Sequence, residues 1–377
     1  MEFTVDLFVF QKALKLFGAV AKASSEETDG QLFIDVRDTG DVILLCNNKN
    51  LSLTHVIPNC AVKLSGVVAI LYGKLNSFLS AFSYLSEGVG TKDIKIKALK
   101  NELSITVTGL TVTGKTTTHK LKLKLFPPQK IALPSPFTET IFELNCATLR
   151  LALSKVLYAI NPASVRPFLQ GVSLIFTEEY IYFAGTDGQK LSEYTTPNTS
   201  KFLKGKYTVS FTFFNTLKRI IDSDHTVYFS IIDGKIKAKF LNTVLHGSLV
   251  LGEEYPDYQK AFNNFTDSIV IDKQIFLSCL APVLPTLDPE DHNRLTLHLQ
   301  NNKLILSNDF AEAEYSDELA FEKDFVIDLN GNYLVNTINS IMDDLIRIQF
   351  SNDTSVLIFD AAQFNNQKAL ITPIRRH

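Results

Sequence analysis

The sequence has 377 residues, of which 45% are hydrophobic and 20% charged, with a formal net charge of −3 at pH 7. Those proportions are typical of globular proteins, and the length suits two or three domains. The apolar runs are far shorter than the roughly 20 residues of a membrane-spanning helix. Glu2 and Asp6 interrupt the apolar stretch that a signal peptide would need at the start of the sequence. The four cysteines do not have the spacing of a metal site or a redox motif. We therefore expect a cytoplasmic protein with no membrane partner.

A short strand that runs into an amphipathic helix occurs three times, at residues 3–21, 142–160 and 269–287. Val5 corresponds to Leu144 at a shift of 139 positions, and Leu144 to Ile271 at a shift of 127. A second pattern, a helix followed by two alternating strands, also occurs three times along the chain. Two independent markers with similar shifts predict an α+β protein of three tandem domains, each with two helices on a mostly antiparallel sheet.

Proline-rich stretches mark the domain boundaries, because proline fixes the backbone and removes a hydrogen-bond donor. We place the domains at residues 1–136, 137–262 and 263–377, with formal charges of +5, +1 and −9. A basic first domain and an acidic last domain favour head-to-tail association of two chains. Drift of surface charge is the alternative.

One string fits a nucleotide-binding pattern, since Gly109, Gly114-Lys115 and Thr116 match GxxxxGK[ST]. That loop works only where it precedes the N-terminus of a helix. Here an alternating stretch of lysines and leucines follows and predicts a strand, so we favour a hairpin turn. The histidines lack metal-ligand spacing and no nucleophile motif is present. We therefore expect no catalytic residue, metal or cofactor.

Basic residues recur on the predicted helices, opposite or beside the apolar stripes. Without a base-reading motif, they favour a surface that contacts phosphates without recognising sequence, and ordinary solvated faces are the alternative. The candidate residues of this phosphate-contacting surface are Lys12, Lys15, Lys22, Lys74, Arg150, Lys155, Lys218, Arg219 and Lys273.

Four strings around the threefold repeat resemble the bacterial-type replicative sliding clamp, the beta subunit of DNA polymerase III. They lie at residues 161–172, 183–191, 255–258 and 370–375. The resemblance implies a non-catalytic processivity factor with the DNA-clamp fold. Two chains would form a closed homodimeric ring of six similar domains around double-stranded DNA, with helices lining the hole.

The resemblance also implies a groove between the second and third domains, here called the partner groove. It would receive short linear peptides from the replicative polymerase and the clamp loader. Gln189 and Lys190 replace a His-Arg pair of the family, and Thr372 replaces a methionine. The groove residues would be Phe168, Leu169, Thr186, Gly188, Lys190, Leu191, Pro256, Lys260, Leu370, Thr372, Pro373, Ile374 and Arg375.

The charge gradient predicts how such a ring would close. A basic strand with Lys120, Lys122 and Lys124 in one chain would meet the acidic segment with Glu312 and Glu314 in the other. Two other functions remain open at this point. One is a triplicated scaffold protein without a role on DNA, and the other is a P-loop NTPase.

Overall fold

The computed structural model describes residues 1–21, 30–82, 93–110, 116–126, 134–200, 204–222, 224–263, 265–316, 321, 324–351, 357–362 and 366–374. The chain forms two compact units. The first unit comprises Met1–Cys146 and Asn215–Leu249, and the second comprises Ala147–Phe214 and Val250–His377. Within the described ranges, no helix is both long and apolar enough to cross a bilayer.

The elements follow nearly the same order in each third of the chain, with one additional strand between the helices of the first third. The first third contains β1 (Glu2–Asp6), α1 (Leu7–Phe17), β2 (Gln31–Val36), β3 (Val42–Asn47), β4 (Ser52–Ile57), β5 (Ala61–Leu64), β6 (Gly66–Leu71), α2 (Tyr72–Ser80), β7 (Asp93–Ala98), β8 (Glu102–Leu110) and β9 (Thr116–Lys124). The second third contains β10 (Phe142–Asn145), α3 (Cys146–Val156), β11 (Gly171–Phe176), β12 (Tyr180–Thr186), β13 (Lys190–Pro197), β14 (Gly205–Ser210), α4 (Phe211–Ile220), β15 (Thr226–Ile232), β16 (Lys235–Phe240) and β17 (Thr243–Ser248).

The last third contains β18 (Asp267–Asp272), α5 (Lys273–Val283), β19 (Arg294–Gln300), β20 (Lys303–Ser307), β21 (Glu312–Tyr315), β22 (Phe325–Asn330), α6 (Gly331–Ser340), β23 (Leu345–Phe350), β24 (Leu357–Ala361) and β25 (Gln367–Ile371). Short 3-10 helices lie at Leu157–Ala159, Pro167–Gln170, Gln259–Phe262 and Leu284–Thr286. This repeated order of helices and strands confirms the α+β class.

Each unit contains two antiparallel sheets. In the first unit the strand orders are β5-β1-β7-β8-β9 and β10-β15-β16-β17-β4-β3-β2-β6. In the second unit they are β14-β11-β12-β13-β25-β24-β23-β18 and β21-β20-β19-β22.

The two eight-stranded sheets refine the expected arrangement, because strands of adjacent repeats share them. At the first junction, β4 of the first repeat pairs with β17 of the second. At the second junction, β13 of the second repeat pairs with β25 of the third. The domain boundaries at 136/137 and 262/263 stay a prediction.

Local sequence explains how the repeated strand-to-helix step begins. The Asp6 carboxylate accepts hydrogen bonds from Phe8 N (2.9 Å) and Val9 N (3.0 Å) at the start of α1. Asp272 accepts the same pair of bonds from Gln274 N (2.8 Å) and Ile275 N (3.0 Å) at the start of α5. An aspartate before a helix satisfies amide groups that have no partner inside it.

Hairpin geometry defines two turns of the chain. Asp233 and Gly234 have φ values of 51° and 71° between β15 and β16, as a two-residue type I′ turn requires. Between β8 and β9 the ladder continues to the pair Leu110 and Thr116. Thr116 therefore begins a strand, so the nucleotide-loop pattern lacks its helix, while residues 111–115 lie outside the described ranges.

Candidate partner groove and basic helix surfaces

The second junction has an apolar patch on the sheet face that points away from the helices. Leu191 pairs directly with Leu370, and the side chains are 5% exposed each. They form one buried cluster with Ala184 and Tyr258. The next residue along the strand, Ser192, points to the opposite face, since its hydroxyl donates to the carbonyl of Lys155 in α3 at 2.7 Å. Strand alternation therefore sends the leucines away from the helices.

An aromatic segment borders this patch. Tyr255 meets Phe168 edge-to-face at a centroid distance of 6.0 Å, and it meets Tyr258 in the same way at 5.9 Å. Phe262 continues the series at 6.2 Å from Tyr258. Burial raises the pKa of Tyr255 and of Tyr258 far above the ordinary value, so both hydroxyls stay protonated at neutral pH. Pro256 and Lys260 of the same segment are exposed.

The turn between β12 and β13 forms a polar border of the groove. Gly188 has φ 94°, a left-handed conformation that favours glycine. The Asp187 carboxylate accepts bonds from Gln189 N and Lys190 N, both at 2.9 Å. The Thr186 hydroxyl donates to the carbonyl of Lys190 at 2.6 Å. These bonds hold the turn in one shape beside Leu169, which is 6% exposed.

Lys190 is held by its neighbours. Its ammonium donates to Asp187 Oδ2 at 2.5 Å and lies 3.9 Å from the ring centroid of Tyr333 on α6. The Tyr333 hydroxyl in turn donates to Gln189 Oε1 at 2.9 Å. The side chain of Lys190 is 10% exposed, so it offers little free charge to a ligand in the predicted groove.

The last described residues of the chain adjoin this turn. The amide and the hydroxyl of Thr372 both donate to the carbonyl of Gln189, at 2.8 and 2.9 Å. Ile374 N donates to the carbonyl of Asp328 at 2.8 Å. Thr372, Pro373 and Ile374 remain half-buried, which leaves their side chains partly open to a ligand. Arg375 lies outside the described residues.

The structure brings the described residues of the predicted groove into one unit, and it adds two neighbours that sequence reasoning missed, Asp187 and Tyr333. Asp187 adjoins predicted groove positions, so its place in the turn is a local consequence. Tyr333 comes from a helix more than 140 positions away in sequence. The only feature of the sequence that could have pointed to Tyr333 is an aromatic residue on the predicted helix, and no local pattern connects that residue with Lys190.

A row of alternating charges lies beside the apolar patch. Glu193 pairs with Lys368, Lys368 with Asp360, and Asp360 with Arg347 across neighbouring strands. Burial raises the pKa of Glu193 and of Asp360 above their ordinary values, although the cations next to them act in the opposite direction. The Arg347 guanidinium lies 3.5 Å from Asp360. Opposite charges thus face each other across the strands of the second junction.

Most of the basic helix residues predicted to face DNA are open to solvent. Lys218 is half-buried, and Lys22 lies outside the described residues. The exposed members are Lys12, Lys15, Lys74, Arg150 and Arg219.

The structure corrects the expectation for Lys155 and changes that for Lys273. Lys155 is 3% exposed, and its ammonium donates to the carbonyl of Ser340, the last residue of α6. Lys273 is half-buried and donates to the carbonyl of Ile341 at 2.5 Å. Both cations therefore bind the carboxyl end of α6, where the helix dipole is negative. Burial, with Lys273 nearby, lowers the pKa of Lys155 to about 8.

The predicted closure residues lie on two terminal strands. Among the described strand pairings, β9 is the last strand of its sheet and β21 the last strand of its own. Lys122 forms an ion pair with Glu102 at 2.8 Å, and Lys303 forms one with Glu314 at 2.8 Å. The side chains that are exposed on these two strands include Lys120, Lys122, Lys124, Glu312 and Glu314.

Comparison with known proteins agrees with this fold. The family model for the DNA polymerase III beta subunit, central domain, matches residues 143–257, and the model for its C-terminal domain matches residues 263–375. The beta sliding clamp of Synechococcus elongatus is 23% identical over 254 residues, which are 64% of this chain and 68% of that protein.

Solved structures match the whole chain. The DNA polymerase III subunit beta from Pseudomonas aeruginosa has a TM-score of 0.87 at 18% identity, and a sliding clamp of that organism bound to griselimycin has 0.84 at 18%. Each comparison covers 100% of both chains. The fold thus defines a protein of the replication-clamp class. With two consecutive domains matched over more than half its length, the chain belongs to the DNA polymerase III beta subunit family.

Proposed function

We propose that this protein is a sliding clamp, a processivity factor without catalytic activity that encircles duplex DNA and tethers replication proteins to it. The observation that carries the proposal is the match of two consecutive domains to the beta subunit family. We place its action in the cytoplasm. Two chains would close into a ring of six repeats.

Contact with DNA would come from the exposed basic side chains of the helices. Lys12 and Lys15 lie on α1, Lys74 on α2, Arg150 on α3 and Arg219 on α4. Duplex DNA carries about one negative charge per 1.7 Å of its axis, so scattered cations suffice for loose, sequence-independent contact. A closed ring needs no tight binding, since it is held by topology. This reconciles the DNA partner with a net charge of −3.

Closure of the ring would join β9 of one chain to β21 of the other. A terminal strand leaves backbone donors and acceptors without partners, and a second strand can add there. The exposed side chains of β9 include three lysines, and those of β21 include Glu312 and Glu314. The contact would be used twice in a twofold symmetric dimer.

Partner proteins would bind at the partner groove through short linear peptides. Leu169, Leu191 and Leu370 supply an apolar wall, and the turn at Gly188 supplies a polar border. Such a combination suits an extended peptide with apolar anchors. We assign this role to peptides of the polymerase and of the clamp loader.

The test is retention on DNA. After loading, a clamp should stay on a closed circular plasmid through gel filtration and should leave once the plasmid is linearised. Equal retention on both forms would contradict encirclement. Equal absence from both would leave a scaffold without a role on DNA.

The ring is tested separately by charge reversal. Lys120→Glu with Lys124→Glu should give monomers in sedimentation, because like charges would then face each other at the closure contact. Lys206→Glu with Lys239→Glu makes the same change in net charge on exposed positions of other strands and should leave the dimer intact. A dimer that survives the first pair of changes would contradict this closure.

A further inference from the structure

A cavity of about 320 Å³ lies at the first junction, within the first unit. The turn between β3 and β4 forms one side of it, and the stretch at Pro134 and Ser135 forms another. The remaining wall comes from β16 and β17, including Lys235, Lys237 and His246. No role in the proposed clamp function uses this cavity.

The cavity occupies the place in the repeat that the partner groove occupies at the second junction. Asn47 pairs with Ser52, and Ser52 pairs with His246. In the same ladder at the second junction, Thr186 pairs with Leu191, and Leu191 with Leu370. Ser52 and Leu191 are 139 positions apart, the shift that also relates the strands leading into α1 and α3.

The chemistry of the two places differs. Where the groove has an apolar pair of leucines, the cavity has a serine opposite a histidine. Lysine side chains replace the apolar surroundings, and the described lining residues include no carboxylate. The first junction therefore has, at the position equivalent to the predicted groove, a cavity with a basic and polar lining.

The positive potential of the cavity comes from two lysines, one buried and one exposed. Lys237 is 8% exposed, and its ammonium donates to Ser135 O (3.1 Å), Ser135 Oγ (2.8 Å) and Pro136 O (2.8 Å). Its three protons are thus used, and it contributes charge without offering a bond. Burial, together with Lys237 and Lys235, lowers the pKa of His246 to about 4. Lys235 is exposed and can reach a ligand.

Two of the residues that line the cavity carry a polar side-chain atom that the described residues leave unpaired. Asn47 Oδ1 and Ser52 Oγ are buried without a hydrogen-bond partner among the described residues. Buried polar groups in proteins are generally bonded, so these two side chains suit a ligand that offers both an acceptor and a donor. An acidic residue in a peptide supplies both. Its carboxylate would accept from Ser52 and Lys235, and its backbone N–H would donate to Asn47, once the two buried atoms rotate toward the cavity.

We propose that the cavity at the first junction binds an acidic residue, Asp or Glu, in an extended peptide of a partner protein. The two junctions of one chain would then recognise different peptides, apolar at the second and acidic at the first. A clamp could hold two segments of one partner, or two partners, without competition between them.

The probe is a fluorescein-labelled peptide, Gly-Asp-Asp-Gly with blocked ends, whose anisotropy is measured with the full chain at low salt. Binding should be weak and saturable, and the Gly-Asn-Asn-Gly peptide should not bind. Lys235→Ala should weaken binding about fivefold or more, since an exposed contacting charge is lost. Ser52→Ala should weaken it about threefold, because one hydrogen bond is lost.

The matched control is Lys239→Ala. Lys239 lies on the same strand and face as Lys235, but it is outside the cavity lining and approaches the ring of Phe137 at 5.7 Å. Its removal should leave affinity unchanged. Equal losses in the two lysine variants would show general charge attraction and overturn the proposal, as would equal binding of the Asn peptide. Displacement by inorganic phosphate as efficient as by unlabelled peptide would assign the cavity to a free ion instead.

Discussion

The two junctions within this chain share a backbone and differ in what they display. At the first, Ser52 and His246 face away from the helices, and at the second Leu191 and Leu370 do so in the same register. The helix side differs too, since Leu53 and Leu245 at the first junction correspond to Ser192 and Ala369 at the second. Hydrogen-bonded pairing tolerates these exchanges because the ladder uses backbone groups. The repeat therefore preserves the backbone pairing of the strands, while the two side chains that face away from the helices determine what can bind.

The largest effect is expected when the second junction is given the side chains of the first. Leu191→Ser with Leu370→His should lower the free energy of unfolding by about 5 kcal/mol, because two buried leucines leave the cluster with Tyr258. Urea unfolding followed by circular dichroism measures the change. A loss below about 1 kcal/mol would show that the apolar patch does not support the junction.

Gly185→Ala tests a close approach found at the second junction. A Cβ there would lie 2.5 Å from the carbonyl oxygen of Val156 and 2.8 Å from Ile160. We expect a loss of about 3 kcal/mol in unfolding free energy. The equivalent position in the first repeat is Cys46, so Cys46→Ala is the matched control and should cost about 1 kcal/mol. Equal losses would contradict the crowding.

Lys155 should give the second unit a dependence on alkaline pH. Its pKa is about 8 in the folded chain against 10.5 ordinarily, so the unfolded chain binds more protons between these values. Stability from this group therefore rises with pH through that window, by up to about 3 kcal/mol. The difference in unfolding free energy between wild type and Lys155→Met, measured from pH 7.5 to 10.5, should show the rise. The exposed control Lys12→Met should follow the wild type.

The reverse exchange sharpens the comparison at the first junction. Ser52→Leu with His246→Leu should raise unfolding free energy by about 1 kcal/mol, because a buried hydroxyl without a partner is replaced by apolar contact. The same variant should lose affinity for the acidic peptide. Thermal unfolding and anisotropy report the two effects, and retained peptide binding would contradict the role of this pair.

Tyr333→Phe should have the smallest effect. It removes the bond to Gln189 and keeps the ring over Lys190, so the loss should be about 0.5 kcal/mol. Tyr333→Leu also removes the cation–π contact and should cost about 1 kcal/mol more. Denaturant unfolding distinguishes the two. Equal effects would show that the lysine gains nothing from the aromatic face.

Periodicity and the 139-position shift were enough to predict the α+β class and the threefold repeat. An Asp-Gly pair between two alternating stretches also predicts the hairpin at Asp233 and Gly234, since turn chemistry is local. Contacts between elements that are distant in sequence could not be predicted. Helical spacing places Lys155 opposite its apolar stripe, but the end of α6 covers that side. The partnership of Tyr333 with Lys190 likewise depends on how α6 meets β13, which no local pattern encodes.

Sharing of strands between repeats limits how the polypeptide can be dissected. A fragment ending near residue 136 would keep β4 and lose β17, the neighbour that covers its outer edge. A fragment beginning near residue 263 would keep β25 and lose β13. Each fragment would expose an edge strand whose backbone N–H and C=O groups have lost their partners, so it should precipitate or self-associate. A repeated sequence unit therefore does not correspond to a fragment that is stable on its own.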